Sequence, residues 1–362
     1  MNARNNIAQF EPLGFNQFFD DRRIGLGVSL GNIARVTAEH RGAYEIINLD
    51  GEFRAVVSGK LMLTALCRDD YPAVGDWVVV KGGIEGSKVI EAILPKQTFL
   101  RKKYSGKDEA QLIAANVDVA FIVESMDRDY NMNRFERYIV LALEGGVRPV
   151  IVLNKSDLIA EAELSARIDQ LCKRFYDIEV LQTTTLAQDG LSDLSNYIQK
   201  GKTYCFLGSS GVGKSSIINK LLGQNSIATK EIGVKTGRGR HTTTAREMYF
   251  TSKGGIIIDN PGSREVGIVD FGRGSKELFI DIEKLAEQCK FKDCNHAKEQ
   301  GCAVLAAVDS GYIDASQYEN YLKLRKETEY YEMSSQERRQ KDKKFGKFIK
   351  NAKVDLKKYS SK

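Results

Sequence analysis

The 362-residue chain has no apolar run approaching the ~18 residues of a membrane span, which argues against a transmembrane helix. Its first residues, MNARNNIAQFEPLGFNQFFDDRR, lack the apolar core of a secretory signal, so a cytosolic protein with no membrane partner is expected. No segment repeats, which gives no support to a repeat architecture. Cysteine is sparse, at six residues, and unevenly placed. Cys67, Cys172 and Cys205 lie singly in or beside apolar segments and read as buried free thiols. Cys289, Cys294 and Cys302 crowd around His296, which in a reducing compartment suggests a metal more than disulfides.

The body of the chain also lacks a surplus of positive charge. The formal charge is +6, yet Arg338 to Lys362 alone holds eleven Lys/Arg against two Asp. The remainder carries 43 basic and 46 acidic residues, a net of −3, so the basic character belongs to a tail. Such a run suits an RNA-phosphate contact through counterion release, and equally a solvated helix. Phe345, Phe348 and Ile349 share one helical face of it, which admits docking on a partner or a membrane surface.

With 42% hydrophobic and 28% charged residues, the chain reads as globular, and its length suits two or three domains. Residues 28–95 alternate apolar and polar at period two. NIARVTAEH, AYEIIN, GEFRAVVSG, DWVVVKG and SKVIEAIL are five short strands, enough for a closed OB-type barrel, with an SH3-like barrel as the competitor. KQTFLRKKYSGKDEAQLIAAN (96–116) is charged and glycine-broken and reads as a linker. From 117 onward strands alternate with amphipathic helices, the pattern of a three-layer α/β domain with a mostly parallel sheet. From about 275 the pattern is helical around the cysteine cluster.

Gly208-Ser209-Ser210-Gly211-Val212-Gly213-Lys214-Ser215-Ser216 follows an apolar strand and opens a helix. Glycines there let backbone N–H groups curl around phosphate oxygens; Lys214 is placed to reach the β and γ phosphates and Ser215 to ligate Mg²⁺. Asn154-Lys155-Ser156-Asp157 ends another strand, where ligands dock in such sheets. The Asp157 carboxylate can accept from guanine N1–H and its 2-amino group, and adenine would leave it unsatisfied. Lys155 would lay its stem along the base, and Asn154 would tether this loop to the phosphate loop. Thr183 and Thr184, one strand further on, sit where a small polar turn offers backbone N–H to guanine O6. Asp259-Asn-Pro-Gly262 supplies an Asp for Mg²⁺ through water and a Gly N–H for the γ-phosphate. GRGRHTTT (237–244) supplies the switch threonine, assigned to Thr243.

The base-reading motif precedes the phosphate loop, the reverse of an ordinary GTP-binding domain. Base reader, base turn, phosphate loop, switch threonine and Asp-x-x-Gly form the usual circle entered at another point. A domain permuted in this way keeps its contacts because chain termini lie close together. The position after Gly262 is Ser263, too short to orient water as a Gln does there, so intrinsic hydrolysis is expected to be slow. His241 is the internal alternative for positioning water, with RNA contact or simple solvation as its other readings.

Cys289-x₄-Cys294-x-His296-x₅-Cys302 offers three thiolates and an imidazole, a closed tetrahedral zinc set with no open position, and therefore structural. Lys290, Lys292 and Lys298 would offset its negative charge. The module follows Asp-x-x-Gly directly, so nucleotide state is expected to reorient it.

PAVGDWV, AANVD, NKSD, GSSGVGKSS, GRGRHTTT, DNPGSRE and CKFKDCNHAKEQGCAV, in this order over residues ~28–330, resemble the circularly permuted, small-ribosomal-subunit-dependent GTPases of bacteria. The family more often carries Thr where this chain has Asn260. The resemblance implies a monomeric GTP hydrolase stimulated by the small ribosomal subunit, binding its rRNA during late maturation, with nucleotide state controlling association. The alternatives are an RNA-binding or chaperone module whose hydrolysis is incidental, and a GTPase of tRNA modification or membrane traffic. The expected division is an N-terminal extension (1–27), an OB-fold barrel (28–95), a linker (96–116), a circularly permuted GTPase domain (117–274), an α-helical zinc-binding domain (275–335) and a basic tail (336–362).

Overall fold

The structure, a computed structural model, describes residues 3–40, 42–83, 86–103, 110–127, 130–223, 246–260, 272–333 and 337. It divides into two compact units, the first closing at Ile280 and the second taking up the chain from Asp281.

The first unit opens with helices α1 (Ala3–Phe10) and α2 (Gln17–Gly25). The Asn16 side chain starts α2 by accepting the Phe18 N–H at 3.0 Å. Strands β1 (Ile33–His40), β2 (Ala43–Asn48) and β3 (Gly51–Val57) follow, then a short helix α3 (Gly59–Thr64), β4 (Trp77–Gly82) and β5 (Lys88–Ile93). They run in the order β1-β2-β3-β5-β4, and β1 pairs β4 (Ile33↔Val79, Ala34↔Val78) to close the barrel. Inward residues Val36, Tyr44, Ile46, Ala55, Val78 and Ile90 fill it, as strict alternation requires.

The N-terminal extension is part of this fold. Phe10, Phe15 and Phe19 pack around Trp77, with Phe15 edge-on at 4.8 Å, and all four are buried. The segment read as a linker is likewise structured: β6 (Phe99–Lys103) and β7 (Ala110–Ala115) form a hairpin. Its Leu100, Ile113 and Ala114 enter the main core. Basic FLRKK and alanine-rich AQLIAA carry no sustained period-two signal, which is why they read as loop.

The α/β part contains β8 (Val119–Ser125), α4 (Met132–Glu144), β9 (Arg148–Asn154), α5 (Glu161–Arg174), β10 (Val180–Gln182), α6 (Ser192–Tyr197), β11 (Thr203–Leu207), α7 (Lys214–Leu222), β12 (Glu247–Phe250) and β13 (Ile256–Asp259). Strands β10-β9-β8-β11-β13 are parallel, and β12 runs antiparallel at the end of this set. β8, β9 and β11 are almost wholly buried, as strands covered on both faces must be. Separate apolar clusters fill the two faces, one around Phe135, Ile139 and Ile151, the other around Phe121, Phe206 and Ile217. β12 also touches β1 (Ala38↔Glu247), so barrel and α/β domain share one sheet of eleven strands. Helix α8 (Arg273–Leu278) packs on α4, and the Glu144 carboxylate accepts the Gly274 N–H at 2.7 Å.

The second unit carries α9 (Ile280–Ala286), the cysteine cluster, α10 (Ala303–Asp309) and α11 (Ala315–Glu332). Asp314 caps α11 by accepting the Gln317 N–H at 3.0 Å. Of the three scattered cysteines only Cys205 is buried; Cys67 and Cys172 are exposed. Cys172 follows Leu171, which faces the core, and one residue along a helix turns it about 100° outward.

Candidate functional site

Three strand ends on the same edge of the parallel sheet build the site. β11 runs into the loop 208–213, whose glycines are demanded by space. Gly208 has φ +143°, and a Cβ there would stand 2.2 Å from the Val123 carbonyl oxygen; at Gly213 (φ +100°) it would stand 2.3 Å from Asn154 Nδ2. Val212 points into the core and pins the loop, while Ser215 and Ser216 lie in the first turn of α7. The Ser209 side chain bonds the Tyr138 hydroxyl, which ties the loop to α4.

Lys214 folds over the loop, its ammonium donating to the carbonyls of Gly208 (2.8 Å) and Ser209 (2.7 Å). Burial lowers its pKa to about 8, opposed by the negative charges of Asp259 and Glu124. Asp259 ends β13 almost wholly buried; burial raises its pKa and Lys214 counters that. Its Oδ2 is buried with no hydrogen-bond partner among the described residues. An orphaned carboxylate oxygen beside a phosphate loop suits a water held on a magnesium ion, so the residues fit the metal that nucleotide brings.

The base-reading loop is tied to the phosphate loop at two points. Asn154 Nδ2 donates to the Val212 carbonyl at 2.8 Å, and Lys155 Nζ donates to the Gly211 carbonyl at 2.9 Å. Lys155 achieves this from left-handed backbone, φ +58°. Asn154 Oδ1 accepts from the Thr183 hydroxyl at 3.1 Å, and the Thr184 hydroxyl donates to the Asp157 carboxylate. Ser156 N–H bonds the Thr183 carbonyl at 3.2 Å, which closes the base loop on the turn after β10.

The two threonines therefore belong to the site, though by other atoms than expected. Thr183 N–H is donated to Leu153 O (2.8 Å) and Thr184 N–H to Gly190 O (3.0 Å), so neither amide is open to guanine O6. Their hydroxyls orient Asn154 and Asp157 instead. Thr243, His241 and Gly262 lie outside the described residues. Sequence reading missed Tyr138 and Asp127, the second of which pairs with Lys155 Nζ at 2.9 Å. Position offered the signal, since Asp127 stands just past a buried parallel strand, where ligand-facing residues collect.

The second cluster lies in the C-terminal unit. The ligand atoms of Cys289, Cys294, His296 and Cys302 all fall within 4.8 Å of one another. Cys289 Sγ to Cys302 Sγ is 3.8 Å, and each of these sulfurs is 3.6 Å from His296 Nδ1. A tetrahedron with ~2.3 Å metal–sulfur bonds has edges of about 3.8 Å, so the donors stand where a zinc-sized ion requires. Burial lowers the His296 pKa, which favours the neutral, ligating imidazole, and raises the Cys294 thiol to about 11, which a cation would reverse. His296 takes left-handed backbone (φ +61°), and its carbonyl accepts the Tyr318 hydroxyl at 2.6 Å.

A parallel sheet with its base reader ahead of its phosphate loop, the two sutured by Asn154 and Lys155, defines a circularly permuted P-loop GTPase. Residues 93–269 match the RsgA GTPase family and residues 203–343 the 50S ribosome-binding GTPase family. The chain is 39% identical over 305 residues to the small ribosomal subunit biogenesis GTPase RsgA 2 of Lactiplantibacillus plantarum, covering 84% of this chain and 86% of that one. It is 39% identical over 321 residues to RsgA 1 of Bacteroides thetaiotaomicron, covering 88% and 89%. YjeQ from Thermotoga maritima superposes with a TM-score of 0.60 at 28% identity, covering 82% of this chain and 98% of that one. YloQ, described as a circularly permuted GTPase, shares the fold with a TM-score of 0.58 at 22% identity. The chain belongs to the RsgA family of GTPases.

Proposed function

We propose that this GTP hydrolase is stimulated by the small ribosomal subunit and acts in its late maturation, binding rRNA, with nucleotide state controlling association. The suture of Asp157's loop to the phosphate loop carries the nucleotide half of this reading. The ribosomal half is supported by relatives at 39% identity that are named small ribosomal subunit biogenesis GTPases.

In this reading Asp157 selects guanine, with its carboxylate turned by the Thr184 hydroxyl. Lys214 leaves the Gly208 and Ser209 carbonyls to neutralise the β and γ phosphates, and backbone N–H groups of 208–213 hold their oxygens. Ser215 and Asp259, with Thr243, would hold magnesium, which would supply positive charge to the phosphoryl oxygens. His241 is the assigned water-positioning group. One structural zinc ion sits on Cys289, Cys294, His296 and Cys302, and the protein works in the cytoplasm as a monomer.

GTP turnover measured with and without purified small subunits tests the proposal, with large subunits as control. Stimulation by orders of magnitude, specific to the small subunit, is expected, as when a partner completes a GTPase site. Binding without stimulation would support an RNA-binding module with incidental hydrolysis; no response to subunits at all would sink the ribosomal assignment.

A further inference from the structure

We propose that Asp127 is a positioning residue for guanine-nucleotide binding, which holds the Lys155 side chain across the base site. The Asp127 carboxylate and the Gly211 carbonyl each stand 2.9 Å from Lys155 Nζ, so the ammonium bridges the β8–α4 connection and the phosphate loop. A lysine held at its tip by two acceptors has its four-carbon stem drawn out from Cα to the phosphate loop, a disposition that suits covering the face of a base.

Asp127 is itself held in place. Met126 N–H donates to the Asn154 carbonyl at 3.0 Å, and Ser125 lies opposite Asn154 in the β8–β9 ladder. Backbone pairing thus carries the base-reading strand right up to the residue that anchors its lysine. Lys155 starts from left-handed backbone, φ +58°. The ion pair is partly exposed, at 23% and 31%, so its effect is modest and salt-dependent.

The inference rests on residues 154–157 being the guanine loop, and preference of the unaltered chain for GDP over ADP tests that separately. Fluorescent GDP and GTP are titrated into the full-length protein and into Asp127→Ala, Asp127→Asn and Lys155→Met variants. Lys155→Met keeps the apolar stem and removes the ammonium. Asp127→Ala is expected to weaken GDP and GTP equally, by about fivefold, the scale of one partly exposed ion pair. Its KM for GTP should rise in step while kcat at saturation holds. Asp127→Asn should fall between, with less salt dependence than the unaltered chain. In the Lys155→Met background, Asp127→Ala should have no further effect. Unchanged affinity, a loss that persists in that background, or a fall in kcat with KM fixed would each overturn the proposal.

Discussion

Lys214 is an ammonium at 6% exposure, and burial is what pulls its pKa from the ordinary 10.5 to about 8. Between those values the unfolded chain binds a proton that the folded chain does not. Unfolding free energy must therefore rise with pH from about 8 to 10.5, and below pH 8 the full penalty of the buried charge is present. In the nucleotide-free protein, the stability of the unaltered chain minus that of Lys214→Met should climb across this window. Urea unfolding at several pH values measures it, and parallel curves would show that the lysine is not strained. In the proposed function this strain has a use: incoming phosphate would add to the countercharge that Asp259 and Glu124 supply only in part. Thr183 and Thr184 teach a different lesson at this scale. Their place beside the loop Asn154 to Asp157 was legible from chain order, but which atom each presents was not. Thr183 N–H is consumed by the β9–β10 ladder and Thr184 N–H by Gly190, partners chosen by tertiary packing.

Among the elements, the segment 289–302 of the C-terminal unit is gathered by its four donor side chains, with the Tyr318 hydroxyl on the His296 carbonyl and the Glu299 carboxylate on three backbone N–H groups as its further ties. That segment is mostly turns, and Cys302 also caps α10 by accepting the Leu305 N–H at 3.4 Å. Cys294→Ser should therefore lose the metal and unravel this knuckle while GDP binding in the first unit persists. Zinc content per chain and far-UV circular dichroism check the first part, and a GDP titration the second; a variant with full metal content would refute the ligand assignment. Metal-ligand spacing is local, within fourteen residues, and so was readable directly. The β6–β7 hairpin was not, because its apolar partners lie on α4 and because Arg101 finds its counterion in Asp69 (3.6 Å), far away in sequence. The backbone confirms how close that packing is: a Cβ at Gly145 would stand 1.6 Å from the Phe99 carbonyl oxygen.

For the whole molecule, Arg35 is the joint of the first unit. It lies on β1, 1% exposed, and donates to Gly75 O (3.3 Å), Leu13 O (2.5 Å), Asn116 O (3.2 Å) and Thr203 Oγ1 (2.9 Å). Those partners come from the barrel, the N-terminal extension, the end of the hairpin and the strand that leads into the phosphate loop. Asn116 Nδ2 also reaches Gly75 O at 3.1 Å, and Ala115 N–H reaches Val74 O at 2.9 Å. PAVGDWV and AANVD, two motifs forty residues apart, are thus two halves of one seam. Burial lowers the Arg35 pKa to about 10, with Asp118 and Asp76 offsetting part of it, so the guanidinium stays charged at neutral pH. Arg35→Met would leave two buried carbonyls and a half-buried one without this donor, a loss of roughly 3 kcal/mol. Urea unfolding should show it, with faster hydrogen exchange in β1 and residues 72–76; unchanged stability and exchange would mean the seam holds without its arginine.

Residue order was enough for the parts whose information is local: the barrel's alternation, the glycine loop, Asn154 to Asp157, and the cysteine–histidine spacing. Each depends on residue types within one turn, one strand or one chelate loop, and the order of the motifs was enough to show that the domain is permuted. Only folding made the N-terminal aromatics clasp Trp77, the charged segment 96–116 a hairpin, Arg35 the joint of four segments and Asp127 the partner of Lys155. These features rest on pairing a buried or half-buried group with a partner fixed by folding, and nothing in a short window of sequence names that partner.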